Sequence, residues 1–62
     1  MFKKYRKLRK YTQEQLAELT ELDTRTIQRI ENNETKPSLD NFKKLVKILQ
    51  ISDEDILNYI KS

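Results

Sequence analysis

Helix-start chemistry divides this chain more sharply than any other feature in it. Thr12 precedes Gln13-Glu14-Gln15. Thr-x-x-Gln is a capping box: the cap hydroxyl accepts from the N3 amide, and the N3 side chain returns to the cap. Asp23 precedes Thr24-Arg25-Thr26 and is an acidic N-cap candidate. Ser38 follows Pro37, which disfavours helix at Lys36, and precedes Leu39-Asp40-Asn41. Ser52 precedes Asp53-Glu54-Asp55, three carboxylates at the positive end of a helix dipole. With an N-terminal helix before the first of them, these starts predict five short helices, at 2–10, 13–20, 24–31, 39–49 and 53–60.

Apolar spacing agrees. Phe2 and Tyr5 are three apart, Leu16 and Ala17 share a face, and Ile27 and Ile30 are three apart. Leu39, Phe42, Leu45, Val46 and Leu49 form the cleanest amphipathic stripe, and Ile56, Leu57 and Ile60 form a short last one. Leu22 and Ile51 fall in connections and are expected to plug the core. No stretch alternates with period two, so the fold class is all-α, a compact five-helix domain with no strand. Helices this short are unstable alone, so packing of their apolar faces must hold them. At 62 residues the chain allows one domain, spanning 1–62, with one thin core.

The composition narrows the chemistry. With no Cys and no His, the common zinc and disulfide staples are absent, as are His- and Cys-centred catalysis. No Gly-rich phosphate loop and no paired catalytic constellation is visible, so the chain is not expected to be an enzyme. No cofactor, metal or small-molecule ligand is expected. Asp53, Glu54 and Asp55 are better explained as a helix start than as a metal site. No apolar run approaches the ~18 residues of a membrane span, and no signal-peptide h-region follows the basic start. The expected setting is the cytoplasm, with no membrane partner. Charge is uneven: the first 31 residues hold eight Lys/Arg against five Asp/Glu, and the rest holds five of each. The net +3 therefore lies in the N-terminal half, with six cations among residues 3–10. Such a patch attracts nucleic acid or anionic lipid, or is simply a solvated helix face.

The second and third predicted helices are joined by Glu21-Leu22-Asp23, a short turn with an apolar residue inside it. That is the geometry of a helix-turn-helix, at about 13–31. In its DNA-binding form the second helix of the pair lies in the major groove. Advancing about 100° per residue from Thr24 puts Ile27 and Ile30 on one side. The opposite side carries Arg25, Gln28, Arg29 and Asn32, side chains able to make paired hydrogen bonds to guanine or adenine edges. A wet helix face chosen for stability usually mixes Glu and Lys; here no acid lies on it.

Thr-Gln-Glu-Gln-Leu-Ala at 12–17, Ile27, Arg29-Ile30-Glu31-Asn32 and Lys36-Pro37-Ser38-Leu39 resemble the phage-repressor-like helix-turn-helix domains, the xenobiotic-response-element type that includes lambda repressor and Cro. The resemblance runs from about Tyr5 to Leu57. It implies a five-helix, sequence-specific binder of an operator in double-stranded DNA, a bacterial or phage-encoded transcriptional regulator acting as a repressor and commonly dimeric. It implies base reading by Thr24, Arg25 and Arg29, which Gln28 joins on the same face. It implies that Gln13 contacts phosphate and braces the recognition helix. Thr26 and Asn32 match positions that face the DNA backbone. Arg6 and Glu31 match a structural ion pair joining the first helix to the end of the third. Lys10 and Lys36, with Lys3, Lys4 and Lys7, are candidates for further phosphate contacts.

The departures from the pattern are mostly glycines. The chain has none, where an average of about 7% would supply roughly four. The family places glycine frequently where this chain has Lys10, Glu21, Asn33 and Gln50. Asn tolerates the left-handed conformation. The other three either carry about 1–2 kcal/mol of strain or turn differently. Positive φ is predicted at Asn33 and at Glu21. Thr20 stands where an aliphatic residue is usual and Leu19 where a polar one is. Leu19 is therefore expected to be partly exposed, or the second helix slightly rotated.

Tyr5, Tyr11 and Phe42 could stack bases in a single-strand binder, but at helical spacing they are expected in the core. Leu57, Tyr59 and Ile60 are a candidate homodimer surface, or simply close the core. Two other functions compete with operator binding. One is a protein-interaction module, an antitoxin or coactivator type, working through the last helix. The other is a non-specific nucleic-acid binder driven by residues 3–10.

Overall fold

The computed structural model describes residues 1–62. It contains α1 (Phe2–Leu8), α2 (Gln13–Thr20), α3 (Thr24–Glu31), α4 (Leu39–Leu49) and α5 (Asp53–Lys61), and no strand. The starts follow the cap chemistry. Thr12 and Gln15 close a reciprocal capping box, at 3.0 and 2.8 Å. Ser38 and Ser52 each accept from the amide three residues on, both at 3.2 Å. Asp23 takes the extended N-cap conformation but makes no side-chain cap bond. At Ser52 the Asp55 side chain does not bond back to the cap amide as Gln15 does at Thr12. The Ser52 backbone N–H donates to the Tyr5 hydroxyl at 3.3 Å, and that hydroxyl donates to the Asp55 carboxylate. One buried tyrosine of α1 thus ties down the start of α5.

The ends share one device. Lys10, Glu21, Asn33 and Gln50 all have positive φ, between 54° and 64°. In each case the next residue donates its N–H to a carbonyl five residues back: Tyr11 to Arg6, Leu22 to Ala17, Glu34 to Arg29 and Ile51 to Val46, at 2.9–3.2 Å. This is the hydrogen bond of a Schellman stop, a turn that glycine normally makes without strain. α1 consequently stops at Leu8, two residues before its predicted end, because Lys10 has turned left-handed. α5 runs one residue past its predicted end.

The core holds Phe2, Tyr5, Leu16, Ala17, Ile27, Ile30, Leu45, Leu49 and Ile51, with Leu22, Tyr11, Phe42 and Ile56 packed partly against it. Ile51 and Leu22 do enter from connections. Thr20 is fully buried, and its hydroxyl donates back to the Leu16 and Ala17 carbonyls at 2.8 and 3.2 Å. That internal bond lets a hydroxyl occupy a site where an aliphatic group is usual. Leu19 is 49% exposed, as the swapped pattern suggested. Two stripe assignments change. Leu39 heads the α4 stripe in sequence but is 67% exposed, because the first turn of α4 extends past the core. α5 buries no residue fully, and Leu57 and Ile60 face outward. What holds α5 is Ile56, the Tyr5 hydroxyl and an aromatic cluster. In that cluster Tyr59 stacks on Phe42 (centroids 5.4 Å apart, planes at 14°) and meets Phe2 edge-on at 5.4 Å.

Candidate nucleic-acid interface

α3 is the helix with the sharpest division of faces. Ile27 and Ile30 are buried against Leu16 and Ala17 in the core. Arg25, Gln28, Arg29 and Asn32 are exposed on the other side, and Thr24 and Thr26 are half-buried at the margins. The turn that aims this helix is Thr20–Asp23. Left-handed Glu21 reverses the chain, the Leu22 N–H returns to the Ala17 carbonyl at 2.9 Å, and the Leu22 side chain packs on the core.

A chain of side-chain hydrogen bonds then locks α3 to the scaffold. Arg6 makes a two-pronged pair with Glu31: Nε to Oε2 at 2.6 Å and Nη2 to Oε1 at 3.1 Å. Its third nitrogen, Nη1, donates to the Tyr11 carbonyl at 2.9 Å. The Glu31 side chain is only 2% exposed. Gln13 Nε2 donates to Glu31 Oε1 at 3.1 Å, and Gln28 Nε2 donates to Gln13 Oε1 at 3.4 Å. The series Arg6–Glu31–Gln13–Gln28 runs from α1 through both ends of the helix pair onto the exposed face. A bidentate guanidinium–carboxylate pair fixes angle as well as distance. The exposed groups of α3 are therefore carried on a rigid mount.

A sequence model of the family described as helix-turn-helix matches residues 2–56. The chain belongs to the phage-repressor-like helix-turn-helix family. At family level it is a DNA-binding transcription regulator, of a kind that is not typically enzymatic. No curated protein and no solved structure matches it.

In this helix-turn-helix domain α3 stands in the position of the recognition helix. Around it the basic run of residues 3–10 separates into two sets. Arg6 is in the buried pair. Arg9 closes the end of α4, with Nε donating to the Leu49 carbonyl at 2.8 Å and Nη2 to the Gln50 carbonyl at 3.1 Å. Lys3, Lys4, Lys7 and Lys10 are exposed, as is Lys36 beyond α3. Lys44 is likewise engaged, with Nζ 3.3 Å from the Thr20 carbonyl at the end of α2. Nothing in the run of cations marks Arg9 as different; its partner is forty residues away.

Two further placements differ from the linear reading. Glu34 borders the same hollow as Arg25, Gln28, Arg29 and Asn32, so an acid does stand at the edge of the α3 face. The left-handed turn at Asn33 brings it there, and the positive φ expected at Asn33 was the available signal. Tyr59 lies in the internal aromatic cluster, while Leu57 and Ile60 (53% and 65% exposed) lie on the outer surface of α5. No helix is long and apolar enough to cross a membrane.

Proposed function

We propose that the chain binds a specific operator in double-stranded DNA and represses transcription, with α3 in the major groove. One observation carries this reading. The exposed side of α3 presents Arg25, Gln28 and Arg29 from a helix whose orientation is fixed by the buried Arg6–Glu31 pair and its extension through Gln13 to Gln28. Base readout needs such fixed side chains, because each good pair of hydrogen bonds to a base edge discriminates by only about 1–3 kcal/mol. Thr24, Arg25, Gln28 and Arg29 read bases. Gln13, Thr26, Asn32, Lys10 and Lys36 hold phosphates and set the register. Gln13 keeps one amide hydrogen for a phosphate while the rest of its amide serves the internal series.

One such domain offers few base contacts, so a homodimer on half-sites about 34 Å apart supplies the rest. Leu57 and Ile60, with the edge of Tyr59, are its contact surface. The setting is a bacterial or phage-infected cytoplasm, with the protein on the nucleoid when bound. In vitro selection of bound duplexes tests the whole reading: the winners should share a sequence, with two half-sites in symmetric array. Arg25→Ala should then cost about 1–3 kcal/mol and relax preference at one base pair. Unchanged base preference in both Arg25→Ala and Arg29→Ala would sink the assignment.

A second reading, an antitoxin or coactivator-type interaction module, draws on the apolar surface where Leu39 and Ile60 flank Pro37, Phe42 and Tyr59. Stoichiometric capture of a genetically adjacent toxin, with no enriched duplex in the selection, favours it.

A further inference from the structure

Glu34 breaks the pattern of the α3 surface. The hollow along the exposed side of α3 and just past its end is lined by Arg25, Gln28, Arg29, Asn32 and Glu34, with no apolar side chain in its wall. Four of these are donors or amides; Glu34 alone is acceptor-only. Its place is set by backbone. Asn33 at φ 60° turns the chain back, and the Glu34 N–H donates to the Arg29 carbonyl at 2.9 Å. Its carboxylate lies 3.5 Å from Asn32 Nδ2, at the rim of the hollow. An exposed glutamate on a free loop would turn into solvent. This one has its backbone pinned to the end of α3 and its carboxylate against Asn32, on the rim of the hollow that also holds the two arginines assigned to base edges by the proposed function.

We infer that Glu34 is a specificity-determining residue, accepting a hydrogen bond from the exocyclic amine of a cytosine or adenine at the flank of the site read by α3. The inference rests on the groove-reading function proposed above. Its physical basis is a difference between two situations. Opposite an amine, the carboxylate gains a charge-assisted hydrogen bond of the kind acids make to cytosine N4. Opposite any other base, it is a bare negative charge among phosphates, with no partner to offset its lost hydration. Beside their base reading, the positive charge of Arg25 and Arg29 favours any duplex; Glu34 penalises the wrong ones.

Selection of bound duplexes by the wild-type protein and by Glu34→Ala and Glu34→Lys is the test, with affinities for the winning and a scrambled duplex measured across salt. The wild-type winners should carry cytosine or adenine at one flanking position, worth about tenfold. Glu34→Ala should lose that preference alone, keep the rest, and bind the scrambled duplex more tightly. Glu34→Lys should steepen the log-salt slope by about 0.9. The side chain is exposed, so both variants should fold, and their helical circular dichroism checks it. Tighter scrambled binding with every base preference intact would reduce Glu34 to a charge and overturn the inference. So would identical behaviour of all three proteins. A wild-type selection with no enriched sequence is a different failure, that of groove reading itself, and takes this inference with it.

Discussion

Replacing Gln50 by glycine should make the protein more stable, although no contact is added. Gln50 holds φ 54°, ψ 53° at the end of α4 and is exposed. A residue with a β-carbon carries about 1–2 kcal/mol in that conformation. Glycine removes this strain but loses more backbone freedom on folding, about 0.5–1 kcal/mol. The net gain should be about 0.5–1 kcal/mol. A domain of this size unfolds with an entropy near 0.13 kcal/mol/K, from about 2.1 cal/mol/K per residue. The melting temperature should therefore rise by about 4–8 °C. Gln50→Ala is the control: it deletes the side chain but keeps the β-carbon, so it should melt with the parent. Glu21→Gly should give a similar gain, enlarged by removing an acid from the negative end of α2. The two turns share no hydrogen bond, so the gains should add in the double variant. Thermal melts followed by circular dichroism decide it. If the glycine and alanine variants at position 50 melt together, the left-handed stops are not a store of strain.

Arg6→Ala should cost roughly 3–5 kcal/mol, because it leaves the Glu31 carboxylate, 2% exposed, without its cation; a urea titration reads this directly. Tyr5→Phe removes the hydroxyl that joins Ser52 and Asp55, and should cost about 1–3 kcal/mol. Amide exchange should show the loss concentrated in α5, which has no fully buried residue of its own. Lys36→Ala should reduce the log-salt slope of duplex binding by about 0.9 with base preference unchanged, as measured by fluorescence anisotropy across salt. Leu57→Asp should abolish the dimer in sedimentation and weaken operator binding more than half-site binding.

How far the linear chain can be read depends on the range of the interactions involved. Helix starts are local: a Thr, a Ser and their third neighbours close a ring of atoms within one turn, so the starts at 13, 39 and 53 fall where the capping residues put them. The split faces of α3 follow from helical period alone. The helix-turn-helix could likewise be anticipated, from the short Glu21-Leu22-Asp23 connection and from family resemblance. The four missing glycines identified four turns, with a left-handed conformation expected at Asn33 and Glu21 and left open at Lys10 and Gln50. All four are left-handed, including Lys10 and Gln50, because the amide that follows each of them finds a carbonyl five residues back.

Other features were decided by the assembled fold. Leu39 and Ile60 match their stripes in spacing yet stay outside the core of nine buried side chains. Arg9 looked like its neighbours until α4 ended against it. Periodicity and capping act over three or four residues, so the order of residues sets them. Which cation is internal and which tyrosine fastens the start of α5 depend on partners 25 to 50 positions away, and only packing brings those together.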